Sequence, residues 1–404
     1  MGPLFFLSGL IFFLGYAWLH LLLAWTNGLQ PGANRLWPGC ILALAILMLA
    51  WGPLLLHLFV PNASHSRSSA MMVSSTWMMM ILWFGFAMLC CDGVNLCGWL
   101  WRHFVSGAPN PPLLVSWRLE ALTGALFTLV AATTGYIQAG HPVVRHIQLS
   151  SQRIPKAADG YRIMLCSDLH AGAYYRTSVL DAVEEAMRQW QPQLLLHTGD
   201  FVDGPSQSDL TPLVERIAGW HLPDGKYACF GNHDGYAGWE SSLEWHRQAG
   251  LEILGQRSGR IDAFPQPWLH LAGIDDPAVW VPNYRHGRDK EAVEAARLDN
   301  EALKAPPESC YNIILRHRPE MRADNFPGWQ LMVSGHTHGG QIFPFNLVIP
   351  FTCPFSTSRC HTLDTGLGLY VSPGTGSWGP PFRFLVPPEI TLIELNSAAE
   401  AAKP

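Results

Sequence analysis

The chain has 404 residues, of which 49% are hydrophobic and only 14% are charged. Soluble domains usually carry about 25% charged residues, so a single uniform soluble domain is excluded. Residues 1–140 hold four basic and two acidic residues, which leaves 22 basic and 29 acidic residues, a net charge of −7, in residues 141–404. No part of the chain is strongly basic, and we therefore expect no nucleic-acid partner.

The first third contains four apolar stretches, each of about the 20 residues that a membrane-spanning helix needs. They are residues 3–25, 37–60, 71–91 and 113–137. A signal peptide is the alternative for the first stretch, but the N-terminus has no basic region and three further stretches follow. The sequence predicts a bundle of about four transmembrane helices over residues 1–140, with the lipid bilayer as its partner.

Four spans would place both chain termini on one side of the membrane. That side would carry Arg67, Arg145, Arg153 and Lys156, and the opposite side two or three arginines from Arg35, Arg102 and Arg118. The excess of positive charge is small. It favours, by a narrow margin, the cytoplasmic side for the C-terminal domain.

After a linker at residues 141–160, short apolar runs alternate with amphipathic stretches. The runs are residues 162–168, 193–200, 226–234, 268–276, 312–319, 330–338, 368–376 and 389–396. Apolar residues at helical spacing predict a helix over residues 178–191, and residues 239–249 and 289–304 also have a helical pattern. This alternation predicts an α/β layered domain over residues 161–396, followed by a tail at residues 397–404.

Candidate metal ligands follow the apolar runs, where strand ends gather ligand groups in such folds. They form five motifs: Asp168-Leu169-His170, Gly199-Asp200-Phe201-Val202-Asp203, Gly231-Asn232-His233-Asp234, Arg316-His317-Arg318 and Gly335-His336-Thr337-His338. All the candidate ligands are carboxylates, amides or imidazoles, which suit manganese, iron or zinc rather than an iron–sulfur cluster. Seven such side chains exceed the needs of one tetrahedral ion and fit two ions, the arrangement that clamps both oxygens of a phosphoryl transfer.

In this order the motifs resemble the calcineurin-like metallophosphoesterase superfamily, whose pattern is D-x-H, G-D-x-x-D, G-N-H-[DE], H and G-H-x-H. The resemblance covers roughly residues 160–396, and GHTHGGQ at 335–341 looks most like the bacterial YkuE/YaeI-type membrane-associated branch. It implies a four-layer α/β/β/α sandwich with a dinuclear metal centre, for which Mn²⁺ is the first expectation and iron or Zn²⁺ the alternatives. Together with the four predicted spans, it places the chain as a multi-pass protein in the bacterial inner membrane.

The resemblance also implies a role for each residue of the motifs. One ion would be bound by Asp168, His170 and His338, a second by Asn232, His317 and His336, and both by Asp200. A hydroxide between the ions would be the nucleophile, and His233 would act as general acid. Asp203 would orient His233, although a strand-end cap fits Asp203 equally well.

One departure from the family pattern bears on the substrate. Protein Ser/Thr phosphatases of the family read GDxVDRG, whereas Gly204 stands here in place of that arginine. Protein phosphatase activity is therefore not expected. Arg316 and Arg318 would either bind phosphate or lie in solvent, and Asp275-Asp276 would belong to the site's edge or to a simple turn. The remaining histidines are predicted to be structural or exposed: His197, His221, His246, His270 and His361.

The predicted function is that of a membrane-anchored phosphohydrolase that cleaves phosphodiester or pyrophosphate bonds. The membrane bundle would serve as an anchor, or it would bring a lipid-linked substrate to the metals. A non-catalytic sensor domain that binds a metal or phosphate ligand is the alternative. A transporter is disfavoured because the spans hold almost no ionisable residues.

Overall fold

The computed structural model describes residues 64–105, 114–172, 175–203, 209–256, 259–279, 306–319, 327–353, 355, 360–362 and 366–398. The chain divides into two compact units, Met1–Thr134 and Gly135–Pro404.

The described part of the first unit consists of two long apolar helices. α1 is Ser64–Phe104 and α2 is Trp117–Ala139, whose last turn belongs to the second unit. Within them, Ser75–Phe104 and Leu119–Ala139 are long and apolar enough to cross a membrane. These segments correspond to the predicted spans 71–91 and 113–137, and the predicted spans 3–25 and 37–60 lie outside the described residues.

A buried hydrogen bond joins α1 to α2. Asn95 Nδ2 donates to Glu120 Oε1 at 2.7 Å, and Val115 N donates to Asn95 Oδ1 at 2.8 Å. Glu120 is buried, so its carboxyl group needs this partner in an apolar surrounding.

The second unit contains two sheets. The first has β1 (Val143–Ser151), β13 (Glu389–Ser397), β2 (Tyr161–Cys166), β3 (Leu194–Thr198), β4 (Lys226–Cys229) and β5 (Glu252–Ile253) in this spatial order. β2 to β5 are parallel, whereas β13 runs antiparallel to β2 and parallel to β1.

The second sheet has β11 (Cys360–Thr362), β12 (Gly368–Val371), β10 (Leu331–Ser334), β9 (Tyr311–Arg316), β8 (Leu269–Ile274), β7 (Gly259–Gln266) and β6 (Gly255–Gln256) in this order. β12, β10, β9 and β8 are parallel. The described helices of this unit are α3 (Thr177–Trp190), α4 (Thr211–Ala218), α5 (Asn232–Ala237), α6 (Trp239–Gln248) and α7 (Phe345–Thr352).

The two sheets pack face to face. Ile163 and Leu196 of the first sheet share a buried cluster with Ile313 and Val333 of the second. On the other face of the first sheet, alternate strand residues join buried residues of α3 and α4 in a second cluster: Met164, Leu195, Val183 and Leu213. Strands covered on both faces consist of continuous apolar residues, which is why the sequence predicts them.

The predicted α/β class is therefore confirmed, with two mixed sheets and helices on the first. The predicted helices 178–191 and 239–249 correspond to α3 and α6. α3 ends where Gln191 adopts a left-handed conformation, directly before Pro192. The helical pattern at residues 289–304 lies outside the described residues.

Residues 141–160, predicted as a linker, contain the edge strand β1. β1 pairs with β13 from Val143 to Ser151, and Arg145 Nε donates to Glu389 Oε2 at 2.9 Å. Most β1 side chains are exposed, so this strand lacks the apolar run by which the other strands are predicted.

Candidate metal centre

Five parallel strands end at one edge of the two-sheet core, and polar side chains follow each of them. The turns after β2, β3, β9 and β10 bring together six predicted ligands, Asp168, His170, Asp200, His317, His336 and His338. The turn after β4 carries the seventh, Asn232, whose neighbour His233 donates its backbone N–H to Asp200 Oδ1 at 2.8 Å. All except His336 are buried. The convergence of carboxyl strand ends, predicted from the sequence, thus gathers the candidate side chains at one place.

The first ligand group consists of Asp168, His170 and His338, whose ligand atoms all lie within 4.8 Å of one another. His338 Nε2 is 3.0 Å from His170 Nε2 and 3.3 Å from Asp168 Oδ1. Three ligand atoms at this mutual spacing can surround one metal ion.

The second group consists of Asp200, His317 and His336. His317 Nε2 lies 3.2 Å from Asp200 Oδ2 and 3.2 Å from His336 Nδ1. Asp200 Oδ2 is also 3.6 Å from His170 Nε2 in the first group. Asp200 is therefore the carboxylate that lies between the two groups.

The side-chain atoms that face the two groups are chemically suited to bind divalent cations. His170 Nδ1 lies 3.0 Å from Asp203 Oδ1, and His317 Nδ1 lies 2.7 Å from the carbonyl oxygen of Thr198. With Nδ1 of each ring donating to oxygen, Nε2 is the atom that offers a lone pair to a metal once it carries no proton. The buried Oδ1 of Asn232 has no hydrogen-bond partner among the described residues, as expected for an oxygen that completes a cation site.

The electrostatics agree with this fit. Burial, with Arg318 near His336 and Arg383 near His338, holds the pKa of both imidazoles well below the usual value, so both are neutral. Burial lowers the pKa of His317 as well, but the Asp200 carboxylate outweighs it and raises that pKa to about 10. The carboxylates thus attract positive charge to this place, either a proton on His317 or a metal ion, and the neutral rings of His336 and His338 can donate lone pairs to a metal.

The backbone at the ligands is strained. Five of the candidate ligands have a left-handed backbone, with φ of 52° at Asp168, 48° at His170, 54° at Asp200, 70° at His336 and 48° at His338. This conformation is unfavourable for residues with a Cβ and is concentrated at functional sites in proteins. The strain indicates that these turns place side chains rather than stabilise the fold.

Two glycines allow the backbone to approach the carboxylates closely. A Cβ on Gly231 would lie 2.2 Å from Asp200 Oδ1, and a Cβ on Gly335 would lie 2.2 Å from Asp168 Oδ2. No side chain fits at these distances, so the glycines of the G-N-H-D and G-H-T-H motifs are required by packing.

His233 and Asp203 lie beside the ligand groups. Asp203 Oδ1 is 3.1 Å from His233 Nδ1 and 3.0 Å from His170 Nδ1. Burial raises the pKa of Asp203, but hydrogen bonds from the two imidazoles lower it to about 2. Burial lowers the pKa of His233, but the nearby Asp200 and Asp203 carboxylates outweigh burial and raise this pKa above the usual value. Asp203 therefore contacts two imidazoles, and together with Asp200 it favours the protonated form of His233.

Comparison with known proteins agrees with the motifs and the geometry. The calcineurin-like phosphoesterase family matches residues 161–340. An uncharacterized metallophosphoesterase of Aquifex aeolicus is 32% identical over 254 residues, which cover 63% of this chain and 91% of that protein. The chain belongs to the calcineurin-like metallophosphoesterases. Members of this family bind divalent metals.

Two further relatives show which members of the family this metallophosphoesterase is similar to. The transmembrane protein with metallophosphoesterase domain of Danio rerio is 30% identical over 291 residues, covering 69% of this chain and 63% of that protein. The uncharacterized metallophosphoesterase YkuE of Bacillus subtilis is 27% identical over 261 residues, covering 62% and 84%. The resemblance to the YkuE-type branch is thus confirmed at the level of the family.

Two positioning residues of the metallophosphoesterase domain are given no role by the sequence analysis. Buried Asp234 accepts hydrogen bonds from the backbone N–H groups of Asp200, Phe201, Val202 and Gly231 at 2.8–3.2 Å. It holds the turn that carries Asp200. Its position as the last letter of G-N-H-D is the signal that could have identified it.

The second is Arg383, whose side chain is fully buried. Its Nη1 donates to the carbonyl oxygens of His338 at 3.1 Å and Pro373 at 2.7 Å, and Nε donates to that of Gly376 at 3.0 Å. It is the only charged residue between Asp364 and Glu389, which is the signal that could have identified it.

Most of the other candidates of the metallophosphoesterase domain are buried. Arg318 forms an ion pair with the carboxylate of Asp276, and Asp275 Oδ1 accepts a hydrogen bond from Phe230 N at 3.0 Å. A solvated Arg318 is therefore wrong, because its side chain is buried against Asp276. Asp276 does begin a turn, since its Oδ1 accepts a hydrogen bond from Ala278 N at 2.9 Å. His197, His246 and His270 are buried, whereas His221 is exposed and His361 is half-buried. Gly204 lies outside the described residues.

Proposed function

We propose that this metallophosphoesterase is a membrane-anchored phosphohydrolase that uses two divalent ions to cleave phosphodiester or pyrophosphate bonds. The observation that carries the proposal is the pair of ligand groups on either side of Asp200. Asp200 Oδ2 lies 3.2 Å from His317 Nε2 of one group and 3.6 Å from His170 Nε2 of the other. A single carboxylate oxygen between two sets of imidazoles is suited to a dinuclear site.

Asp168, His170 and His338 would hold one ion, and Asn232, His317 and His336 the other, with Asp200 shared. Mn²⁺ suits this mixture of oxygen and nitrogen donors, with iron and Zn²⁺ as alternatives. When bound, two such ions polarise phosphoryl oxygens and make water a nucleophile near neutral pH.

The protein's own residues supply proton transfer and orientation. His233, whose pKa the nearby Asp200 and Asp203 carboxylates raise above the usual value, would donate a proton to the leaving oxygen. Asp203 would fix the orientation of both His233 and the ligand His170. Asp234 and Arg383 would hold the turns that carry Asp200 and His338.

The proposed membrane part is a bundle of four spans, of which α1 and α2 account for two. Apolar helices and kinship to a relative named as a transmembrane protein support membrane association. We place the protein in a bacterial inner membrane, with the metallophosphoesterase domain as a complete α/β/β/α sandwich on the cytoplasmic side. A lipid-linked phosphate or pyrophosphate is the substrate that such an arrangement favours.

Hydrolysis of bis(p-nitrophenyl) phosphate by the detergent-purified chain with Mn²⁺ tests the chemistry, with Asp200→Asn as the variant. A shared metal ligand contributes several kcal/mol to the transition state, so we expect a loss of about 1000-fold in kcat/KM. The matched control is Asp181→Asn on α3, whose carboxylate side chain is 63% exposed; it should retain wild-type activity.

Two results would contradict the proposal. If a chelated, metal-free preparation kept full activity, the metal mechanism would be wrong. If wild type and Asp200→Asn were equally inert toward diesters, pyrophosphates and lipid-linked phosphates while metal analysis showed both sites filled, the domain would be a binding sensor.

A further inference from the structure

An exposed apolar helix follows the last ligand motif. In α7, Leu347 is 56% exposed, Val348 50% and Phe351 89%. The surrounding stretch, residues 339–358, contains no charged residue and no histidine. Contiguous apolar surface of this kind marks a site of interaction with a partner or a membrane.

A fourth exposed apolar residue, Leu385, lies outside α7 on a segment joined to it. Leu385 is 57% exposed and has a left-handed backbone with φ of 63°, which is an outlier for a bulky side chain. The preceding residue, Phe384, forms a parallel bridge with Ile342, and its carbonyl oxygen accepts a hydrogen bond from Phe343 N at 3.1 Å. The segment that leads into α7 and the segment that carries Leu385 are therefore joined.

These segments are attached to the end of α2. Arg383 N donates to the carbonyl oxygen of Gly135 at 2.9 Å, and the ring of Tyr136 lies 6.2 Å from that of Phe382. Tyr136 and Ile137 are themselves about half exposed, at 49% and 53%. The last turn of an apolar helix long enough to cross a membrane thus packs directly against the backbone that carries Leu385.

We propose that Leu347, Val348, Phe351 and Leu385, which we call the apolar rim, dock into the surface of the lipid bilayer in which α2 is anchored. This inference rests on the membrane association within the proposed function. A bilayer is the occupant that the observations favour, because the rim is joined to the end of α2 and its helix carries no charge that a protein partner could pair. An apolar helix face beside a membrane helix lies at the boundary between head groups and acyl chains.

The segment that leads into α7 also contacts Trp378, which lies beside the metal centre. Gln341 Nε2 donates to the carbonyl oxygen of Trp378 at 2.7 Å, and Trp378 N donates to Gln341 Oε1 at 2.9 Å. The Trp378 ring, 38% exposed, lies 6.0 Å from that of His233. Tryptophan is enriched at the head-group level of membranes. With the rim docked, the metal centre would therefore face the head groups, where the phosphate of a lipid-linked substrate lies.

Photo-crosslinking of the full chain in nanodiscs tests the inference. The nanodiscs contain phosphatidylethanolamine and phosphatidylglycerol, and p-benzoylphenylalanine replaces one residue at a time. Phe351 is the test position. Phe264 on β7, 54% exposed, is the matched phenylalanine outside the rim, and Leu126 on α2, 59% exposed, reports on the membrane helix. We expect lipid adducts, measured by mass spectrometry, at Phe351 and Leu126 at least about tenfold above Phe264.

The three positions separate failure of the rim from failure of the anchor. Adducts at Leu126 without an excess at Phe351 over Phe264 would overturn the docking and leave the anchor in place. A crosslinked dimer at Phe351 in place of lipid adducts would also overturn it, because the rim would then join two copies of the chain. No adduct at Leu126 would overturn the membrane association itself, and the docking with it.

Discussion

Asp203 uses one carboxylate oxygen for two imidazoles, the ligand His170 and the candidate acid His233. Replacing Asp203 by Asn keeps the shape but removes the charge that orients both rings. Loss of such a partner typically reduces metal affinity or activity 10- to 100-fold. We expect Asp203→Asn to lower kcat by about 10- to 100-fold, with a smaller change in KM and weaker binding of Mn²⁺, measured by steady-state kinetics and metal titration.

Asp209, an exposed residue near the start of α4, provides the control, and Asp209→Asn should behave as wild type. Unchanged kcat and Mn²⁺ affinity in Asp203→Asn would instead assign Asp203 the role of a strand-end cap.

Arg383 satisfies backbone carbonyl groups in the interior with its whole guanidinium group. In Arg383→Met these carbonyls lose their donors, and each buried unsatisfied group costs about 1–3 kcal/mol. We expect the free energy of unfolding to fall by about 3 kcal/mol or more, measured by urea titration in detergent. In addition, Mn²⁺ binding should weaken, because the guanidinium holds the backbone of the ligand His338.

Arg216→Met is the matched control for Arg383→Met. Arg216 likewise uses its guanidinium group for several contacts, in this case ion pairs with Asp181 and Glu184, but its side chain is 30% exposed. Exposed ion pairs contribute about 0–1 kcal/mol. If both variants lost the same free energy of unfolding, Arg383 would not have the interior role assigned to it.

The turn between β4 and α5 depends on the absence of a side chain at Gly231. A Cβ there would lie 2.4 Å from the backbone nitrogen of Asp200, and Asp234 holds that nitrogen in place at 2.9 Å. Gly231→Ala must therefore move Asp200 out of position. Misplacement by about 1 Å can reduce a rate about 100-fold, and we expect a loss of at least that size in kcat/KM for bis(p-nitrophenyl) phosphate.

Gly219→Ala provides the control for Gly231→Ala. Gly219 follows α4 with an ordinary helical φ of −69°, and the atom nearest to an added Cβ is 3.3 Å away. The activity of Gly219→Ala should match that of the wild type. Full activity in Gly231→Ala would mean that the turn tolerates movement of Asp200.

The elements differ in how well the sequence predicts them. β2 and β3 are buried on both faces, so their apolar runs and the polar residues that follow are visible without a structure. β1 is an exposed edge strand and lacks that signal. α7 contains Pro350 and several β-branched or aromatic residues, and its sequence does not favour a helix.

The candidate site, too, could be predicted from the sequence only in part. Its ligand types and their order are local in sequence and could be predicted, whereas the partners of Asp234 and Arg383 could not. Asp234 contacts the backbone of Asp200, 34 residues earlier in the chain, and Arg383 contacts His338, 45 residues earlier. Such contacts depend on how the strands are ordered in the sheets, which neither motif spacing nor hydrophobic periodicity reports.

The division of the chain into two units determines how metal should affect stability. The ligands all lie in the second unit, Gly135–Pro404, and they come from both of its sheets. A metal that binds this folded arrangement and not the unfolded chain stabilises it by about 2.7 kcal/mol at 100 times its Kd. We expect Mn²⁺ to raise, and chelation to lower, the midpoint of thermal unfolding of this unit. The transition of the first unit should not move, since it holds none of these ligands.

Calorimetry of the full chain in detergent can resolve the two units, because separate units need not unfold in one transition. Asp168→Asn is the variant that separates metal linkage from general stabilisation by salt. It removes a carboxylate of the first ligand group while leaving the backbone hydrogen bond between Asp168 N and the carbonyl oxygen of Gly199. The Mn²⁺ response should shrink in this variant, whereas Mg²⁺ at equal ionic strength should give wild type a smaller response, because imidazole ligands suit Mn²⁺ better than Mg²⁺. A Mn²⁺ response of equal size in Asp168→Asn and wild type would mean that the ion stabilises the unit from another place, and the strain at the five ligand turns would then need a different explanation.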